Sequence, residues 1–115
     1  MVTNVTSLTG SGLKDWLIQR ATAVFLLIYT LFAITFFITH PKVDFPEWQL
    51  VFHCRCVQIA TILAVVAILL HAYIGIWTVL TDYVKCKWLR LSLLSIVAFT
   101  LFAEGLWTFL LVWGQ

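Results

Sequence analysis

Charge is scarce in this sequence. Lys, Arg, Asp and Glu together make up 10% of 115 residues, and the formal net charge is +2. So small and scattered a positive balance excludes nucleic-acid binding. Proline is nearly absent as well, and both prolines, Pro41 and Pro46, fall in the stretch 40–55. Nothing resembles a glycine-rich dinucleotide turn or an iron–sulfur cysteine set, so substrate oxidation by a flavin or a cluster has no home here. His53, Cys54 and Cys56 form a C-x-C with one flanking histidine, which lacks the spacing of a closed zinc site and reads as free thiols. There is no internal repeat and no heptad pattern. The N-terminus, M-V-T-N-V-T-S-L-T-G-S-G, has no basic n-region and no small-residue cleavage site, so the first apolar segment is expected to stay in the mature protein.

Apolar residues fill the space that charge leaves. At 63% hydrophobic, the chain falls outside the soluble range and reads as an all-α integral membrane protein. A hydrocarbon core about 30 Å thick needs about 20 apolar residues per helix, so residues 1–115 make one transmembrane domain of three spans. These are expected at about 16–39, 57–80 and 88–113. Residues 1 to about 15 read as a flexible or partner-contacting segment. The stretch from His40 to Arg55 reads as an aqueous loop with room for an interfacial helix around Trp48, and 81–87 as a tight polar turn. Lys14, Arg20, Lys85, Lys87 and Arg90 lie on one side and only Lys42 and Arg55 on the other. The positive-inside rule then puts the N-terminus and the 81–90 turn in the cytoplasm and has the C-terminus face outward. Cys86 is separated from Cys54 and Cys56 by the bilayer and cannot pair with either.

The second span carries the chemistry. At 100° per residue, Ala60, Ala64, Ala67, His71, Gly75, Thr78 and Asp82 lie within roughly 40° of one line, while Ile62, Leu69, Tyr73 and Leu80 lie opposite. A stripe of small residues lets another backbone, or a flat cofactor, approach closely, because lipid gives helices no hydrophobic reason to pair. His71 sits in that stripe about 15 Å from the 81–87 turn, near mid-membrane. Desolvation favours its neutral imidazole, which leaves one nitrogen to accept a hydrogen bond or bind a metal. Two readings stay open, a metal ligand and a hydrogen-bonded link between helices. His40 and His53 lie at the outer end, so a haem iron bound by His71 takes its other axial ligand from another chain or lacks one.

Three further residues stand out. Asp82 and Tyr83 close the second span; they are either a solvated turn neutralised by Lys85, Lys87 and Arg90, or a site where Tyr83 donates to an amphipathic headgroup such as a quinone. Glu104 lies 16 residues past Trp88 and so roughly 24 Å along the third span, in its outer half, where a carboxyl is protonated or paired across chains.

The combination of R-A-T-A at 20–23, H-A-Y-I-G-I-W-T-V-L-T-D-Y-V-K at 71–85 and V-W-G at the end of the third span resembles the smaller hydrophobic membrane-anchor subunit of bacterial succinate dehydrogenase, respiratory complex II. The likeness runs along nearly the whole chain. It implies a three-helix subunit of a succinate:ubiquinone oxidoreductase in the bacterial inner membrane. The subunit would be paired with a second transmembrane subunit, a cytochrome b, and docked to an iron–sulfur subunit and a flavoprotein. It further implies a haem b between the membrane subunits with His71 as axial ligand and Arg20 beside a propionate. Tyr83 would donate to ubiquinone, and Asp82 would support that site. Arg20 alone could equally be a snorkelling anchor for lipid phosphate. Two other functions compete: a small proton-coupled exporter using Glu104, and a structural anchor without haem.

Overall fold

A computed structural model describes residues 6–114. Four helices follow one another: α1 Gly12–Thr39, α2 Phe45–His53, α3 Arg55–Tyr83 and α4 Lys87–Trp113. Three of them, α1, α3 and α4, are long and apolar enough to cross a membrane. The polar turn is shorter than expected, because Thr81, Asp82 and Tyr83 continue α3 and leave only three residues, 84–86, outside helix. At 29 residues, α3 is about 43 Å long, so both ends reach past a hydrocarbon core of about 30 Å.

The short helix around Trp48 is α2. Asp44 caps it by accepting from the Glu47 amide at 3.0 Å, and Pro46 sits in the first turn, where a missing amide proton costs nothing. Only Cys54 separates α2 from α3. That corner is held by Gln58, 2% exposed, which donates through Nε2 to the Phe52 carbonyl at 2.6 Å and accepts from Arg55 at 3.0 Å. The Arg55 guanidinium also lies 5.1 Å from the Trp113 ring centroid, tying the end of α4 to the start of α3. Gln58→Leu removes the partner of the half-buried Phe52 carbonyl and frees Arg55, so it should lower stability by about 0.5–1.5 kcal/mol in detergent unfolding measurements.

Helix α3 is the centre of the bundle and packs against both α1 and α4. Its small-residue face meets α1. The pairs Tyr29–Thr61, Thr22–His71 and Gln19–Gly75 run in opposite directions along the two helices, so the pair is antiparallel. The backbone that the stripe admits is therefore the chain's own first helix. The opposite, bulky face meets α4, where a Cβ on Gly105 would stand 2.6 Å from Leu69 Cδ1. Leu69 is equidistant from Arg55 and Tyr83, which sets Glu104, the residue before Gly105, beside the middle of α3.

The segment before α1 is ordered over its described part and folds back on α3. Tyr73 donates its hydroxyl to the Thr6 carbonyl at 2.6 Å, and Trp77 Nε1 donates to Thr6 Oγ1 at 2.7 Å. Gly10, with φ of 74°, makes the left-handed turn that a side chain would resist. Asp15, 5% exposed, accepts from the Thr9 amide and hydroxyl. The stretch read from sequence as flexible or partner-contacting is, from Thr6 onward, a strap on the chain's own third helix.

Candidate functional site

Around His71 the site is built by two helices. Thr22 of α1 is 8% exposed, and its hydroxyl lies 3.1 Å from His71 Nδ1. The same hydroxyl lies 2.7 Å from the Ile18 carbonyl and 3.1 Å from that of Gln19. A threonine within a helix turns its proton to such a carbonyl by default. His71 is half-buried and stands two residues, or about 3 Å, from the middle of α3. One turn towards the 84–86 link, Gln19 lies against Gly75, with its Oε1 buried and unpartnered. A buried polar atom left without a partner is costly.

The described residues contain no group of three or more His, Cys, Asp or Glu side chains able to hold a metal. His71 is therefore a solitary donor. Its chemistry fits one axial position of a haem: one ring nitrogen is held by a hydroxyl, and Nε2 has no hydrogen-bond partner among the described residues. Any further ligand to a metal bound there would have to come from outside the described residues.

The other residues singled out by sequence lie apart from this pair. Arg20 is exposed and stacks over Trp16, 5.3 Å from the ring centroid. Two residues from Thr22, it leaves α1 roughly 200° around from the hydroxyl that meets His71. Asp82 is exposed at the end of α3 on the His71 face, and among the described residues no ion pair joins it to Lys85, Lys87 or Arg90. Tyr83, 80% exposed, closes the helix about 21 Å from its middle and so about 6 Å beyond a centred hydrocarbon core. Glu104 is exposed on α4, and among the described residues only its main-chain carbonyl has a partner beyond the helix ladder, the Thr108 hydroxyl. A separate groove of ≈ 600 Å³ runs between the N-terminal strap, α3 and α4, lined by Thr6, Leu69, Tyr73, Leu94, Ser95 and others; none of the sequence-predicted site residues lines it.

Cys54, Cys56 and Cys86 are free and exposed. The Cys54 thiol is held below its ordinary value chiefly by the Val57 amide and next by that of Cys56, as expected at a helix N-terminus.

Sequence reasoning passed over Thr22 and Gln19 as site residues. The signal was present: Asp15, Gln19, Thr22 and Tyr29 are spaced by four, three and seven, a polar seam of heptad spacing that a search for apolar heptads does not register.

No protein-family model matches the chain. Among curated proteins, one from Coxiella burnetii is 38% identical over 102 residues, covering 89% of each chain. One from Rickettsia bellii is 32% identical over 100 residues, covering 77% of this chain and 78% of its own. A third, from Rickettsia felis, is 36% identical over 90 residues, covering 76% and 72%. All three are named succinate dehydrogenase hydrophobic membrane anchor subunit. With identity above 30% across more than three quarters of its length, and three helices fit to span a bilayer, this chain belongs to the family of succinate dehydrogenase hydrophobic membrane anchor subunits.

Proposed function

We propose that the chain anchors a succinate:ubiquinone oxidoreductase in the bacterial inner membrane. In that complex it supplies one axial ligand to a haem b shared with a second transmembrane subunit, and part of a ubiquinone site. The observation that carries this beyond family membership is the state of His71, a mid-span imidazole with Nδ1 engaged by Thr22 and Nε2 unpaired among the described residues.

When bound, haem supplies a one-electron relay. His71 offers Nε2 to the iron from a helix gripped on two sides. Arg20, at a depth between His71 and Gly75, provides a guanidinium for a propionate, with its stem along apolar surface. Tyr83 donates to a ubiquinone carbonyl as that oxygen gains charge, and Asp82, on the histidine's face, supports the same site. The flavoprotein and iron–sulfur subunits carry succinate oxidation and dock at this end. Five of the seven Lys and Arg residues in the sequence lie in the first turns of α1 or over 85–90, which supports a cytoplasmic N-terminus and a periplasmic C-terminus. The exporter alternative rested on Glu104 alone, and family membership leaves it without support.

Purification from membranes through a tag on this chain should recover succinate-dependent ubiquinone reduction together with a b-type reduced-minus-oxidised absorbance difference. A preparation that oxidises no succinate would refute the anchoring role, and one that oxidises succinate without a b-type signal would favour the haem-free anchor. Orientation is tested by the thiols. With the other cysteines replaced by serine, a membrane-impermeant maleimide should label Cys54 in osmotically shocked cells and Cys86 only after the inner membrane is broken. Below the ordinary thiol pKa, Cys54 should react faster than a small free thiol such as glutathione under the same conditions, because its lowered value leaves more thiolate.

A further inference from the structure

We propose that Thr22 is a positioning residue for the haem: its hydroxyl fixes His71 in the tautomer that carries the proton on Nδ1 and the lone pair on Nε2. This rests on His71 being an axial ligand, and it adds a residue and a mechanism to that assignment.

Protons and lone pairs can be counted at this contact. A threonine hydroxyl has one proton to give and two lone pairs to offer. The Thr22 proton has the Ile18 carbonyl at 2.7 Å and the Gln19 carbonyl at 3.1 Å as acceptors within its own helix. Main-chain carbonyls accept and never donate, so the proton goes to one of them and Oγ1 faces His71 as an acceptor. The 3.1 Å contact is then satisfied only if Nδ1 carries the hydrogen. In neutral imidazole that leaves Nε2 bare, which is the form able to coordinate iron.

The opposite arrangement, with the hydroxyl donating to Nδ1, places the ring proton on Nε2 and blocks coordination. It also abandons both carbonyl contacts. Thr22 is the only hydrogen-bond partner of the His71 ring among the described residues, so no second group there restores the tautomer if the hydroxyl is lost. Thr22 is also buried, which keeps water from substituting.

A donor bond from Nδ1–H makes the imidazole a stronger electron donor. A stronger donor favours the more highly charged oxidised iron and lowers the reduction potential. Removing the acceptor should therefore raise it.

The test uses the whole complex bearing Thr22→Val, which keeps the shape and removes the acceptor, and Thr22→Ser, which keeps the hydroxyl. Potentiometric titration of the b-type absorbance should show an upward shift in midpoint potential in Thr22→Val that is reversed in Thr22→Ser. Haem retention during dilution should weaken roughly 10- to 100-fold in Thr22→Val alone, the usual range for losing a partner of a metal-bound histidine. Thr22→Ala, which adds no bulk to the seam, gives the same readouts if Thr22→Val does not assemble. A wild-type potential and wild-type retention in the valine or alanine variant overturns the role of Thr22, while a loss of haem in His71→Ala leaves the ligand assignment standing. Haem kept with an unaltered spectrum in His71→Ala overturns both.

Discussion

His71→Ala is expected to remove the b-type absorbance difference from the purified complex, with haem occupancy falling by at least about tenfold, the lower end of what losing even an outer partner of a ligand costs. Two roles for a mid-membrane histidine separate cleanly on magnitude. As a link between helices, His71 would contribute one interhelical hydrogen bond, worth about 0.6 kcal/mol on average and about 1.7 at most in a membrane. Its loss would then shift unfolding slightly and leave the spectrum alone. As a ligand, it controls whether the iron is held at all. The geometry favours the second role, because the hydrogen bond to Thr22 uses only Nδ1 and a purely structural histidine gains nothing from an unpaired Nε2 within a membrane span. The measurement is the reduced-minus-oxidised spectrum of the variant complex beside that of wild type; retention of the full signal would dismiss His71 from the coordination sphere.

How far the sequence revealed this arrangement depends on which physical signal each feature leaves. Apolar content located all three spans, since stretches of about 20 predominantly apolar residues have few other fates. It does not mark where a helix ends: α3 runs over Arg55–Tyr83, whereas 57–80 marks where residues are apolar. Thr81, Asp82 and Tyr83 remain helical because main-chain hydrogen bonding does not stop where hydropathy does, and Val84 closes the helix by donating to the Leu80 carbonyl at 2.9 Å. His71 was legible as a site because an imidazole amid leucine and alanine is anomalous. Thr22 left a fainter trace, its place in the spacing of Asp15, Gln19 and Tyr29, since a threonine in a membrane helix that bonds its own i−4 carbonyl looks ordinary by itself. Only the proximity of α1 to α3 turns its second lone pair into a partner for His71. The strap was equally hidden. Its contacts join residues 67 and 71 positions apart, Thr6 to Tyr73 and Thr6 to Trp77, and separations of that length leave no periodic trace.

Tyr83→Phe is expected to slow ubiquinone reduction by about 10- to 100-fold while electron transfer from succinate to an artificial acceptor that bypasses the membrane continues at the wild-type rate. The figure follows from the bond at stake. A hydrogen bond to a charged acceptor contributes about 1.5–3 kcal/mol, and a quinone oxygen becomes charged as it takes up electrons, so the donor matters more in the transition state than in the bound substrate. Tyr83 is 80% exposed in the isolated chain, where water would compete for any such bond. The predicted loss is therefore large only if the docked subunits cover this end of α3 and exclude water. That condition divides the outcomes. A deep loss in quinone turnover with the artificial acceptor unaffected means that Tyr83 is both a donor and buried by assembly. Equal activity in the two assays means that the hydroxyl faces solvent in the complex and takes no part. Asp82→Asn, run beside it, keeps the size of the side chain and removes its charge. Since Asp82 forms no ion pair with Lys85, Lys87 or Arg90 among the described residues, a fall in quinone turnover in that variant does not come from breaking a bridge to those three residues.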